Sequence, residues 1–320
     1  LRADMEPCRY RATGLPFASR FPGRMHACGH DVHMASLLGA AAMLQRAPRP
    51  LGGPVKLIFQ PAEEEGEVGG ALSLIAQGCL ERPTVDFVVG QHVFPGVPLG
   101  RIGWKVGPMM AAADAFRIRV RGRGGHAATP HQGPDAILVA SEIVVGLQAL
   151  VSRVRDPLDP AVVSVGQIHG GTRNNILPDE VVLEGTVRTL SAATRSMLES
   201  ALRRRVRAIA SSLGASVRID YIHGYPAVVN DAGATATVAR ALVQEFGRDR
   251  VVEIPQPMMG AEDFARYLER VPGTFLRLGV GTASESASLH SATFAPDERS
   301  LVVGAATLVA AADGLQRGLE

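Results

Sequence analysis

Cysteine is scarce in this chain, with three residues in 320, widely separated. That excludes a disulfide framework and points to a reducing compartment. Net charge is nearly absent too: 33 basic side chains face 31 acidic ones, a formal balance of +2. Nothing electrostatic calls for nucleic acid or a membrane surface as partner. The one basic run, Arg203, Arg204, Arg205 and Arg207, has helical spacing and reads as a solvated face. No apolar run reads as long enough to span a bilayer. There is no internal repeat, linker run or low-complexity tract. A G-x-S-x-G elbow is missing, which disfavours a serine hydrolase. Gly122, Gly124 and Gly125 lack the strand–loop–helix context of a phosphate loop. Leu1-Arg2-Ala3-Asp4 reads as the end of a strand already in progress, so the chain is expected to be a fragment. Localisation then rests on cysteine chemistry, which favours the cytoplasm.

Metal-ligand chemistry, by contrast, is concentrated. Residues 26–33 read His-Ala-Cys-Gly-His-Asp-Val-His, with glycine as the flexible spacer. Thiolate and imidazole suit a borderline-soft ion such as zinc, and carboxylates join them in catalytic sites. Cys28 and His30 are two apart, so an extended or turn segment would point both the same way.

The hydrophobic pattern places this cluster in an α/β chain. Leu37, Leu38, Ala41 and Leu44 mark a helix from Asp31 to about Arg46, stopped by Pro48 and Pro50. Val55–Phe59 and Val85–Val89 read as buried strands around a helix at Gly69–Gly78, a parallel crossover unit. The middle section changes character. Phe116, Ile118 and Val120 alternate with arginines as a half-exposed strand, and Pro134–Val151 is a helix. Val162–Ile168 and Val181–Val187 are strands, Ser191–Leu213 a long helix, and Val217–Tyr221 a strand. That order, β-α-β-β-α-β, is the ferredoxin-like arrangement. The α/β pattern then returns, with helices at Ala232–Phe246, Ala261–Val271 and Asp297–Leu315 and a strand at Phe275–Leu278. The expectation is an α/β domain over 1–110 and 223–320, interrupted by a ferredoxin-like insert over 111–222.

Further ligand types fall where such an enzyme would put them. Gln60-Pro61-Ala62-Glu63-Glu64-Glu65 follows a strand, and catalytic groups of open α/β sheets gather at the carboxyl ends of strands. Adjacent carboxylates cannot face the same way in extended chain. One can bind metal while its neighbour faces the substrate as general base. Alone, the acidic triplet reads equally well as a solvated loop, and His92 or His290 as a satisfied histidine. Together Cys28, His30, Glu64, His92 and His290 supply S, N and O donors, enough for two ions about 3.5–4 Å apart.

HACGHDVH, FQPAEE, GQHVFP, GGHAATPH, NNILPDEVVLEGTVR, GAEDFARYL and LHSATFAPDE follow one another in that order. The chain thereby resembles the metal-dependent amidohydrolases that include hippurate hydrolases, N-acyl-amino-acid amidohydrolases and indole-acetyl-amino-acid hydrolases, in the aminoacylase and di-zinc carboxypeptidase superfamily. The resemblance runs from Leu1 to the last helix. It implies a zinc-peptidase-like catalytic domain with a central mixed sheet, and a lid and dimerisation role for the βαββαβ insert. It implies Cys28 as bridging ligand and His30, Glu64, His92 and His290 as the other ligands of two divalent ions, zinc, manganese or cobalt. Glu63 matches the general base, and Asp4 an aspartate that orients a ligand. His126 matches a histidine that serves the neighbouring subunit's site in dimeric relatives. Asn175 and Arg188 match substrate-holding residues of the lid, arginine being the natural partner of a carboxylate. The implied partner is a small N-acyl-amino acid, and the implied assembly a homodimer or homotetramer. Dipeptidase or carboxypeptidase activity, or a non-catalytic dimeric relative of the fold, are the alternative readings. Glu6-Pro7-Cys8-Arg9-Tyr10-Arg11 departs from the family's usual stretch near the substrate side, so a different specificity is expected there.

Overall fold

A three-residue strand, Arg2–Asp4, lies fully buried inside a six-stranded sheet and carries the first functional side chains. The computed structural model describes residues 1–9, 14–49, 51–66, 69–281 and 288–318; Tyr10 and Arg11 of the divergent stretch lie outside the described residues. The sheet order is Val251–Glu253, Ile102–Trp104, Gly273–Gly281, Val88–Pro98, Arg2–Asp4, Ile58–Gln60. Arg2–Asp4 runs parallel to both neighbours, with Asp4 opposite Gln60 and Arg2 opposite Gly90. Gly273–Gly281 is parallel to Val88–Pro98 but antiparallel to Ile102–Trp104, so the sheet is mixed.

Helices His30–Gln45, Ala232–Phe246 and Ser300–Arg317 bury Leu37, Ala40, Val238, Leu242, Leu308 and Ala311 in one core with Ala3, Val89, Ile102 and Leu276 of the sheet. Burying an aliphatic side chain of this size is worth about 1.5–3 kcal/mol. This core fixes the sheet against the helix that begins at His30.

Several elements differ from the pattern read off the sequence. The strand expected over Val85–Val89 begins at Val88 and runs on through His92 to Pro98. A register shift between Gly279 and Gly281 accommodates the proline and glycine at 95 and 96. The helix expected over Ala261–Val271 shrinks to Ala265–Leu268, because the Glu262 carboxylate accepts from its own chain's Phe264 N–H and holds the first residues in a turn. The strands Ile102–Trp104 and Val251–Glu253 carry too few residues to show a period. Of the extended and turn alternatives for Cys28 and His30, the chain takes the turn. Gly29 sits between them at φ 78° as a left-handed N-cap, and His30 opens the helix.

The chain divides into two compact units: Leu1–Met109 with Val228–Pro257 and Glu262–Glu320, and Met110–Ala227 with Met258–Ala261. The second unit is a four-stranded antiparallel sheet ordered Ser216–His223, Ala112–Arg121, Glu180–Thr189, Ala161–His169. Helices Ala136–Ala149 and Ala192–Ser212 are capped by Asp135 and Ser191 and bury Val139, Ile143, Leu147, Leu198 and Leu202 against it. Its edges run further than the expected 111–222. Ala113 N–H donates to the Tyr225 carbonyl at 2.9 Å, Gly224 N–H to Asp114 at 3.2 Å, and Ala111 N–H to the Gly260 carbonyl at 2.8 Å. The first and last strands of this unit are thus tied to each other at its boundary. Asp114 is buried and also takes bonds from Arg195 and the Tyr221 hydroxyl.

One helix corrects the expectation that no segment reaches membrane-span length. Ala136–Val154 has 19 residues and a mean hydropathy of 1.8, enough by length and composition. Its Val139, Ala140, Ile143, Leu147 and Leu150 pack into this unit's core, while Val145 on the other side is 73% exposed.

Candidate metal centre

Two neighbouring carboxylates at the end of the Ile58–Gln60 strand point to different destinations. Ala62, at φ 61°, turns the chain just before them. Glu64 Oε1 meets His290 Nε2 at 2.9 Å and the Cys8 thiol at 3.2 Å, and lies 4.0 Å from His30 Nε2. Glu63 faces a buried acidic group, with oxygens of Glu63, Glu262 and Asp263 within 4.8 Å of one another.

The remaining predicted donors join through Cys28. Its Sγ lies 3.3 Å from His92 Nε2, and Cys28, His30 and Glu64 offer atoms all within 4.8 Å of one another. The five predicted ligand positions therefore form one linked cluster in the first unit. His126 and Asn175 are together in the second unit: His126 pairs with Ile176 in a short antiparallel ladder, and Ala127 N–H donates to the Asn175 carbonyl. Arg188 sits elsewhere on that unit's sheet, opposite Ala113, and burial lowers its pKa despite nearby Asp114.

Backbone groups set the histidine tautomers. His30 Nδ1 is 2.9 Å from the Glu6 carbonyl and His92 Nδ1 is 2.7 Å from the Val93 carbonyl. A carbonyl only accepts, so both Nδ1 atoms carry the proton and both Nε2 atoms turn a lone pair toward the cluster. His33 is the reverse. Its Nε2 accepts from Val93 N–H at 2.9 Å and its Nδ1 donates to Asp4 at 2.5 Å, so both nitrogens are spoken for. His33 lies among Asp4, His30 and His92, but it positions rather than ligates.

Electrostatics divides the site in two. Burial, then His33, pushes the His92 imidazolium down to about 3, which keeps the ring neutral and ready to bind. Burial and the Glu64 charge raise the Cys28 thiol. Burial would raise Glu64, but its bonds with His290 and Cys8 hold it at about 2. Burial and then Glu64 push Cys8 up to about 12. Burial would also raise Asp4, yet His33, Arg2 and His30 hold it well below the carboxylate range. Glu63 goes the other way: burial, then the Glu262 charge, raises it well above that range.

Arg2 is the cation beneath this arrangement. It reaches Asp4 at 3.0 Å, Glu262 at 2.9 Å and Asp263 at 2.8 Å, all four side chains being almost wholly buried. Gln60 donates to Asp263 at 2.7 Å and accepts from the Tyr267 hydroxyl at 3.0 Å. Sequence reasoning gave no role to Arg2, Cys8, His33, Glu262 or Asp263. The available signals were Arg2 two residues before Asp4, His33 one helical turn after His30, and the adjacent acids of GAEDF.

The donor chemistry fits divalent ions. His30 Nε2 is buried and has no hydrogen-bond partner among the described residues, while thiol and carboxylate donors surround it. A buried nitrogen left without a partner is costly unless something else satisfies it. An α/β unit with a mixed sheet, clustered S, N and O donors and a buried carboxyl beside them is the arrangement of a metal-dependent hydrolase.

The chain belongs to peptidase family M20/M25/M40, whose profile matches residues 1–314. It is 40% identical over 303 residues to an N-acetyl-L-cysteine deacetylase of Bacillus subtilis, covering 94% of this chain and 70% of that protein. It is 39% identical to thermostable carboxypeptidase 1 of Saccharolobus solfataricus over 309 residues, 95% of this chain and 77% of the relative. The crystal structure of the Bacillus subtilis YXEP protein, described as a dinuclear metal-binding peptidase of the M20 family, superposes with a TM-score of 0.85 at 34% identity. It covers 99% of this chain and 80% of that one.

Proposed function

We propose that this protein hydrolyses the amide bond of N-acyl-amino acids, releasing a carboxylic acid and an amino acid, with two divalent ions held by Cys28, His30, Glu64, His92 and His290. The observation that carries the reading is the buried His30 Nε2, without a hydrogen-bond partner among the described residues, set among these donors. When bound, the ions supply Lewis acidity that activates water and the scissile carbonyl.

This chain's own residues do the rest. Glu63 takes the proton of the attacking water and returns it to the leaving amine. A carboxylate within reach of the water can serve both halves of that transfer. His126 donates to the developing oxyanion, while Asn175 and Arg188 hold the substrate, Arg188 at its carboxylate. Asp4 and His33 hold their neighbours in register. The insert acts as lid and dimerisation domain, in a homodimer or homotetramer. The exposed Val145 side of its helix and the edge strand Ala161–His169, where Ile168 is 51% exposed, support that assembly. A thiolate ligand favours zinc over manganese or cobalt and suits a reducing, cytoplasmic setting.

The test combines metal analysis with N-acetyl, N-benzoyl and indole-acetyl amino acids, set beside dipeptides. Hydrolysis of acyl-amino acids with two ions per chain is expected. Preference for dipeptides would instead favour the peptidase reading, to which the carboxypeptidase relative lends support. Glu63→Gln should keep both ions and lose about 10²–10⁴-fold in turnover. Unchanged turnover at matched metal loading would exclude Glu63 as base.

A further inference from the structure

Cys8 belongs to none of the five ligand positions, yet its sulfur points at them. The Sγ lies 3.2 Å from Glu64 Oε1, the same oxygen that His290 Nε2 meets at 2.9 Å. Cys8, Glu64 and His290 each offer an atom within 4.8 Å of the others. In a tetrahedral site with bonds of about 2.0–2.3 Å, donors lie roughly 3.3–3.8 Å from each other. The Cys8–Glu64 spacing is close to that, as is the 3.3 Å between Cys28 and His92. A second, independent observation points to the same place. His30 Nε2, buried and without a hydrogen-bond partner among the described residues, lies 4.0 Å from that same Glu64 oxygen.

The backbone holds Cys8 there. Its N–H donates to the Met25 carbonyl at 2.9 Å and its carbonyl accepts from Met25 N–H at 3.1 Å, pinning it beside the segment that leads to Cys28. The residues just before it also serve the centre. The Glu6 carbonyl fixes the His30 tautomer, and its carboxylate accepts from Glu64 N–H at 2.8 Å. Cys8 packs with Met25, Val32 and Phe294, a role that any small apolar side chain would fill. Filling space does not explain a sulfur aimed at a ligand carboxylate.

We propose that Cys8 is a sixth donor of the dinuclear centre, its thiolate joining Glu64 and His290 on one ion, so that the site is sulfur-rich and selects soft divalent cations such as zinc and cadmium. The inference rests on the reading of this cluster as a two-ion site. On binding, the Cys8 S–H bond breaks, a sulfur–metal bond forms, and the proton leaves to buffer. A second thiolate beside Cys28 disfavours hard ions such as manganese.

The test is cobalt(II) reconstitution of chelator-stripped wild type, Cys8→Ser and Cys28→Ser, read by sulfur-to-cobalt absorption, ion count and chelator competition. Serine keeps a hydrogen bond to Glu64 and removes only the sulfur. Cys8→Ser is expected to lose part of the sulfur band and to weaken one ion by about 10-fold or more. A band and competition curve unchanged in Cys8→Ser, but lost in Cys28→Ser, would make Cys8 only a hydrogen-bond donor and overturn the proposal. Wild type that takes up no cobalt would overturn the two-ion reading itself, a distinguishable result. Cadmium-113 NMR of wild type needs no variant. Two signals are expected, one displaced toward that of a two-sulfur site; two signals at one-sulfur positions refute the assignment.

Discussion

Arg2→Met is the sharpest perturbation of the buried charge network. The guanidinium holds Asp4, Glu262 and Asp263 at 2.8–3.0 Å and donates to Gln60 at 3.0 Å, with no solvent to replace it. Methionine keeps most of the volume and removes the charge. Breaking a buried ion pair by deleting one partner costs about 3–5 kcal/mol, because the other charge stays buried and uncompensated. At about 2–4 °C per kcal/mol for a domain of this size, the melting temperature should fall by roughly 6–20 °C. The loss should depend on pH. Asp4 is held below its ordinary pKa despite burial, chiefly by His33 and then Arg2, so its stabilisation exists above about pH 4 and disappears as pH falls through its folded value. Glu262 and Glu63 are raised by burial, and Arg2 opposes that rise in both. Without Arg2 they bind protons more tightly in the folded state, a penalty that grows as pH rises. Both effects have the same sign. The gap between variant and wild type is therefore widest near pH 8, narrows toward pH 4 as Glu262 and Glu63 take up protons, and narrows further below pH 4 as Asp4 does. Chemical denaturation across that range measures it directly. A melting shift below about 2 °C, or a gap that does not change with pH, would refute the claim that Arg2 neutralises this cluster.

Gly70→Ala should destabilise by about 1–3 kcal/mol and lower turnover, since an added Cβ would stand 1.7 Å from the Pro61 carbonyl, just before the Glu63–Glu64 pair. Urea titration and a turnover assay measure the two effects, and wild-type values in both would mean that the close approach is not real. Mixing His126→Ala with Glu63→Gln subunits should restore partial activity if His126 serves a neighbouring site, because one mixed site holds both intact residues. Absence of recovery with heterodimers demonstrated would place His126 within its own chain's chemistry or outside it altogether. Leu147→Ala in the insert core should cost about 2–5 kcal/mol by denaturation, since the side chain has no exposed surface. A smaller loss would mean that the site collapses around the cavity.

The gathering of these donor side chains was legible because they come in short dense motifs. Cys28 and His30 share eight positions with two more histidines, and Glu64 follows a strand whose end the proline marks. The order of the insert's elements was legible because its helices are long and its strands alternate. What stayed hidden has little local signal. Glu262 and Asp263 read as the first turn of a helix, and only contact with Arg2, from the opposite end of the sequence, shows why they turn away from it. His33 looks like a ligand by composition, and only the Val93 N–H, a backbone partner no side-chain pattern reveals, occupies its second nitrogen. Cys8 looks like a core residue until Glu64 is placed beside it. The reach of the strand through His92 stayed hidden because its long partner Gly273–Gly281, distant in sequence, carries the ladder on to Pro98.

The bonded first and last strands of the second unit have a consequence for how the gene can be edited. Because Ala113 is hydrogen-bonded to Tyr225, the polypeptide leaves and rejoins the first unit at nearly one point in space. To that unit the whole of Met110–Ala227 is topologically equivalent to a tight turn. Closing it costs little chain entropy beyond what a short connection would cost. Exchanging the insert for a relative's, or for an unrelated domain with adjacent termini, therefore becomes a modular operation. Met258–Ala261 is the one further segment that such a graft would have to match.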